Sequence, residues 1–156
     1  MDEQLMNDEK QFVVFRLGRE TYGLDIATVR EIITMQTITQ VPRTMEYVEG
    51  VINLRGRVIP VFNLHSKFDL QAGDITRSTR IVVVEVEGNT IGMIVDGVSE
   101  VLRISNDIVE RPNSIISDVD TEYLAGVAKL DERLVILLDL EKVLSREDHS
   151  MLENIS

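Results

Sequence analysis

The sequence repeats itself, and no other feature limits its folding as strongly. Laying residues 12–32 over 81–101 matches Val13, Val14, Thr21, Gly23, Val29 and Glu31 with Val82, Val83, Thr90, Gly92, Val98 and Glu100. Laying residues 47–64 over 123–140 matches Tyr47, Gly50, Val51, Leu54, Arg57 and Leu64 with Tyr123, Gly126, Val127, Leu130, Arg133 and Leu140. Two blocks in the same order, with glycines in register, indicate an internal duplication. The matched runs are short, apolar and rich in Val, Ile, Phe and Tyr, as strands are. Small all-β units avoid exposed edges by closing into barrels. The expected architecture is therefore mainly β: two small barrels packed together, with a groove between them suited to binding.

The elements follow along the chain. Residues 1–10 read as a disordered, solvated tail. Strands begin at Phe12, and Gly18 marks a turn before Tyr22-Gly23-Leu24. Asp25 then predicts a helix N-cap, with a short helix over Ile26–Thr34. Val41-Pro42 breaks the chain. Two β-rich runs flank Arg55-Gly56, a tight hairpin in which Gly56 supplies positive φ. Pro60 cannot donate a ladder hydrogen bond, so its strand is expected at an edge or bulge. A polar linker covers 71–78, then strands 80–86 and 90–95 flank Glu87-Gly88-Asn89. A loop region spans 105–121, and a further strand pair turns at Asp131-Glu132. Leu140, Val143, Leu144, Met151, Leu152 and Ile155 recur every three or four residues, which predicts a C-terminal amphipathic helix. The expected boundaries are a first barrel at 11–70, a second at 79–140 and the helix at 140–155.

Several kinds of chemistry find no support. A net charge of −11 without a Lys/Arg-rich run argues against nucleic acid as a partner. With no cysteine there is no disulfide, thiolate metal site or thiol nucleophile. No apolar run spans a bilayer, and the acidic N-terminus lacks the pattern of a signal peptide, so the expected location is the cytoplasm, without membrane insertion. Asp118, Asp120 and Glu122 alternate like the start of a calcium loop. The sixth and twelfth positions are Tyr123 and Lys129 instead of Gly and Glu, which favours a solvated acidic loop. His65 and His149 carry no metal spacing and read as lone surface histidines. Neither a phosphate-binding glycine loop nor a nucleophile elbow is present. No cofactor, metal or catalytic residue is expected, and an enzyme with an unrecognised site is the weaker alternative.

Differences between the repeats are more informative about function than their likeness. Where the first hairpin carries Asn53-Leu54-Arg55-Gly56, the second carries Lys129-Leu130-Asp131-Glu132. The Arg-Gly turn belongs to one half only. Arg55 is either an ordinary solvated turn residue or a binding anchor, and arginine is enriched among such anchors. Val29 and Glu31 have matching counterparts in Val98 and Glu100, so on repeat evidence alone a shared structural role leads.

The residues also carry a family resemblance. Phe12-Val13-Val14-Phe15-Arg16-Leu17-Gly18, Tyr22-Gly23-Leu24-Asp25-Ile26 and Val29-Arg30-Glu31-Ile32 resemble the opening of the CheW family. Gly50-Val51-Ile52-Asn53-Leu54-Arg55-Gly56 with Ile59-Pro60-Val61 resembles its most characteristic motif. Val95-Asp96-Gly97-Val98-Ser99-Glu100-Val101-Leu102 and Tyr123-Leu124-Ala125-Gly126-Val127 extend the match to nearly the whole chain. The resemblance implies two five-stranded SH3-like barrels around a shared apolar core. It implies a chemotaxis adaptor that joins the histidine kinase CheA, through a similar domain of the kinase, to the cytoplasmic tips of chemoreceptors. A non-flagellar pathway such as pilus motility is the alternative setting. Carried over by position, Val29, Glu31, Arg55, Val95 and Asp96 are expected at the receptor contact, and Gly50, Asn53, Leu54 and Gly56 at the kinase contact.

Overall fold

A computed structural model describes residues 9–41, 47–68, 70–71, 73–111 and 123–144. Strands dominate it: β1 (Glu9–Leu17), β2 (Glu20–Asp25), β3 (Val29–Thr34), β4 (Val48–Leu54), β5 (Arg57–Asn63), β6 (Arg80–Val86), β7 (Asn89–Val95), β8 (Gly97–Ser105), β9 (Val109–Glu110), β10 (Leu124–Leu130) and β11 (Arg133–Leu138). Single-turn helices α1 (Leu64–Lys67) and α2 (Leu140–Val143) follow β5 and β11, and 3-10 turns occupy Ile26–Thr28 and Asn106–Ile108.

The strands form two sheets of the SH3-like fold, ordered β8-β1-β2-β11-β10-β9 and β3-β6-β7-β5-β4. Neither sheet is drawn from one contiguous half. The hairpin β1–β2 lies in the sheet of β8–β11, and the hairpin β6–β7 lies in the sheet of β3–β5. The barrel spans expected at 11–70 and 79–140 are corrected accordingly: each repeat lends its first hairpin to the other.

The exchange is symmetric down to register. β5 pairs parallel with β7 through Val61 and Gly92, and β11 pairs parallel with β2 through Leu137 and Gly23, the counterparts of those residues. Glu31 of β3 faces Val83, and Glu100 of β8 faces Val14. A bridge from Thr39 to Val51 occupies the place that the two-residue β9 takes beside Val127. The five- and six-stranded sheets thus differ chiefly in whether that last contact is long enough to count as a strand.

Burial follows from this arrangement. Ile52, Ile59, Val61, Ile81 and Val83 fill one barrel, and Val14, Ile104, Ala128, Val135 and Leu137 fill the other. Between them lies a larger core common to both sheets, including Phe15, Leu17, Tyr22, Leu24, Phe62, Val82, Met93 and Leu138. Phe15 stacks on Tyr22 at 5.8 Å and Phe68 on Tyr123 at 5.4 Å. Apolar burial of this kind is the main favourable term in folding, and here much of it needs both repeats.

Local expectations were met unevenly. Asp25 does cap, its Oδ1 accepting from the Ala27 amide at 3.0 Å, but the turn ends at Thr28. Residues 29–34 form β3, not helix, because Val29, Glu31 and Ile33 alternate inward with Arg30, Ile32 and Thr34 outward. Pro60 lies on an interior strand. Both backbone groups of its partner Val51 bond to Thr39, so Val51 and Pro60 form a pair without mutual hydrogen bonds. The ladder to β7 starts only at Val61, so the missing N–H interrupts nothing. β1 begins at Glu9, inside the expected tail. The helix expected over 140–155 is corrected at its start: it is a single turn, Leu140–Val143, ended by Leu144 in an extended conformation, while residues 145–155, like Pro42, the acidic residues at 118–122 and His149, lie outside the described residues.

Candidate functional site

The β4–β5 hairpin builds one end of the first barrel. Asn53 Oδ1 accepts from the Gly56 amide at 2.8 Å, and Arg55 and Gly56 adopt φ of 52° and 86°. Two successive positive φ values match the right-handed strand twist, so the strands meet without splaying. The turn directs Arg55 back to β3, where Nη2 pairs with the Glu31 carboxylate. The hydrogen bond to Glu31, and then its charge, raise the Arg55 pKa above the ordinary arginine value. A raised arginine pKa keeps the group cationic at every lower pH, so any contribution of this cation is lost only above the usual arginine range.

Around this pair is a charged depression of 640 Å³ at the barrel mouth. Leu54, Ile59 and Val83 contribute its apolar lining, and Arg30, Glu31, Arg55, Arg57 and Glu85 its charged lining. Arg30 pairs with both carboxylate oxygens of Glu85. Arg57 donates to Thr90 Oγ1 at 3.3 Å. The Arg55 side chain remains 69 % exposed, a rigid donor fork held over an apolar base.

The remaining sequence candidates divide by role. Glu31, Leu54 and Arg55 meet at the mouth, with Asn53 and Gly56 shaping its turn. Gly50 takes φ +151°, and a Cβ there would collide with the Thr39 carbonyl, which explains glycine without any partner. Val29 is half-buried and packs against the shared core, and Val95 is wholly inside it. Asp96 occupies the single-residue crossing between β7 and β8, in a separate recess with Gly18, Gly73 and His65.

His65 was missed as a structural residue. It is 5 % exposed, not a surface histidine. Its Nδ1 donates to the Gln71 carbonyl at 2.9 Å, and Nε2 lies 2.9 Å from Asp96 Oδ1. Asp96 Oδ2 accepts from the Gly18 amide at 2.7 Å. The chain from His65 to Gly18 ties α1 to the β1–β2 turn across the two sheets. No local pattern announces it, because its members stand far apart in sequence. The counterpart of His65 is Glu141 on α2, so the second repeat lacks the tie.

Two SH3-like sheets with exchanged hairpins around a shared core define a duplicated β-barrel module, and no helix among the described residues is long and apolar enough to cross a membrane. Comparison with known proteins makes the assignment specific. A CheW-like domain model matches residues 11–148. The chain is 35% identical to chemotaxis protein CheW of Klebsiella aerogenes over 147 residues, covering 94% of this chain and 89% of the relative. It is 35% identical to chemotaxis protein CheW of Treponema pallidum over 155 residues, covering 96% and 91%. The crystal structure of the scaffolding protein TtCheW from Thermoanaerobacter tengcongensis superposes with a TM-score of 0.82 at 38% identity, covering 89% of this chain and 90% of that one. The chain belongs to the CheW-like family of chemotaxis scaffold proteins.

Proposed function

We propose that this chain is the coupling adaptor of a chemotaxis array, joining chemoreceptor cytoplasmic tips to the histidine kinase CheA in the cytoplasm. It acts by binding both and catalyses no reaction. Family membership over residues 11–148 supports the adaptor role. The observation that carries the site is the pairing of Glu31 with an exposed Arg55 at the mouth of one barrel. Arg55 and Glu31 are the contact residues of this reading, with Leu54 beneath them. Asn53, Gly56 and Gly50 hold the hairpin that presents them, Val29 and Val95 support it from the core, and Asp96 marks a second contact region.

The direct experiment is calorimetry of the purified chain with a receptor-tip fragment and with the regulatory domain of CheA from the same genome. Saturable binding of both is expected. Binding of neither at tens of micromolar contradicts the proposed function.

A further inference from the structure

The two barrel mouths solve the same charge problem differently. In the second barrel, Arg133 pairs with Glu100 at 2.9 Å. Their counterparts in the first barrel are Arg57 and Glu31. There Glu31 pairs with Arg55 instead, because the position held by Asp131 in the second turn is held by an arginine in the first. Arg30 is occupied by Glu85. Among the described residues Arg57 therefore has no carboxylate within salt-bridge distance, and its bond to Thr90 is long and to a neutral oxygen.

We propose that Arg57, beside Thr90, is the seat for an Asp or Glu side chain of a protein segment docked across the first-barrel mouth. The mouth sets three arginines against two glutamates, a local surplus of cation on a chain of net charge −11. Leu54, Ile59 and Val83 offer apolar surface to the rest of the segment. A guanidinium presents up to two parallel N–H donors to one carboxylate. Glu31 and Glu85 flank the seat and repel a phosphate dianion more than a single carboxylate. The partner chemistry is thus an acidic peptide segment with an apolar face. The inference rests on the proposed adaptor function and adds which charge the docked partner contributes.

The test measures binding of the receptor-tip and CheA fragments by wild type, Arg57→Ala, Arg57→Lys, Arg55→Glu and Arg133→Ala, with a thermal melt of each. Arg57→Ala is expected to weaken one fragment by roughly tenfold or more. Arg57→Lys retains charge without the fork and is expected to fall between. Arg133→Ala, whose native partner is internal, is expected to bind within about twofold of wild type. Converting the acidic residues of that fragment singly to amides should reveal one whose loss adds nothing in the Arg57→Ala background, the signature of a direct pair. Wild-type binding of both fragments by Arg57→Ala and by Arg57→Lys, with Arg55→Glu impaired, overturns the carboxylate seat and leaves the adaptor function standing. Failure of wild type to bind either fragment removes both.

Discussion

The first and second barrels share a framework and differ in the charges at their mouths. In each, a tyrosine carbonyl (Tyr47 or Tyr123) accepts from the backbone amide of an N-cap residue (Asn63 or Asp139), and the N-cap side chain starts a one-turn helix. In each, a glycine (Gly50 or Gly126) allows a neighbouring backbone to approach. The non-glycine turn residue with positive φ is Arg55 in one and Asp131 in the other. That single reversal pairs Glu31 with the turn residue Arg55 and not with Arg57, and projects a guanidinium over the first mouth, whereas Glu100 and Arg133 neutralise each other at the second. Duplication supplied two equivalent ends, and the charges at the turns set them apart.

Three perturbations sharpen the contrast, the strongest first. Because each barrel borrows a hairpin, residues 1–75 alone should not fold, while mixing them with 76–156 should restore β-sheet circular dichroism and a cooperative melt. A cooperative melt of either fragment alone would contradict the exchange. Next, Gly50→Ala should cost about 3 kcal/mol in urea denaturation, because strained φ and a backbone clash coincide. Gly126→Ala should cost about half as much, since its nearest obstacle is the Val109 side chain at 2.6 Å, which can shift. Equal losses would mean that the two close approaches are equally rigid. Smallest, His65→Ala should cost about 2 kcal/mol by leaving Asp96 short of a partner, against less than about 0.5 kcal/mol for Glu141→Ala on the exposed face of α2. A silent His65→Ala would show that the tie does not hold the sheets together.

The repeat made the strands and their barrels legible, down to which glycines correspond. It could not reveal the exchange of hairpins. Similarity states which segments are alike, and Val82-Val83 resembles Val13-Val14 equally well in either barrel. The stretch 26–34 was misread because a capping aspartate is as good a start for a 3-10 turn as for a helix, and only the alternation after Thr28 separates them. Arg55 stood out because the hairpin is local and the halves differ there, whereas Glu31 and Leu54, alike in both halves, came only by position in a motif. Val95 was placed by position in a motif, and motif position says nothing about which side of a strand faces the core. His65 escaped because its partner Asp96 is brought near by the fold alone. Arg57 looked like a shared framework residue, and its lack of a carboxylate among the described residues became visible only when the pairing at Arg133 could be compared with it.

The most direct test of the central claim sets the two mouths against each other. The affinity of Arg55→Glu and of Arg133→Glu for the receptor-tip and CheA fragments is measured beside wild type, with thermal melts to establish folding. Arg55→Glu is expected to lose roughly tenfold or more for at least one partner, with reversal worse than Arg55→Ala because it sets like charges against the partner. Arg133→Glu is expected to bind as wild type does. Equal binding by both variants, or a greater loss at Arg133, would contradict the assignment of binding to the first-barrel mouth.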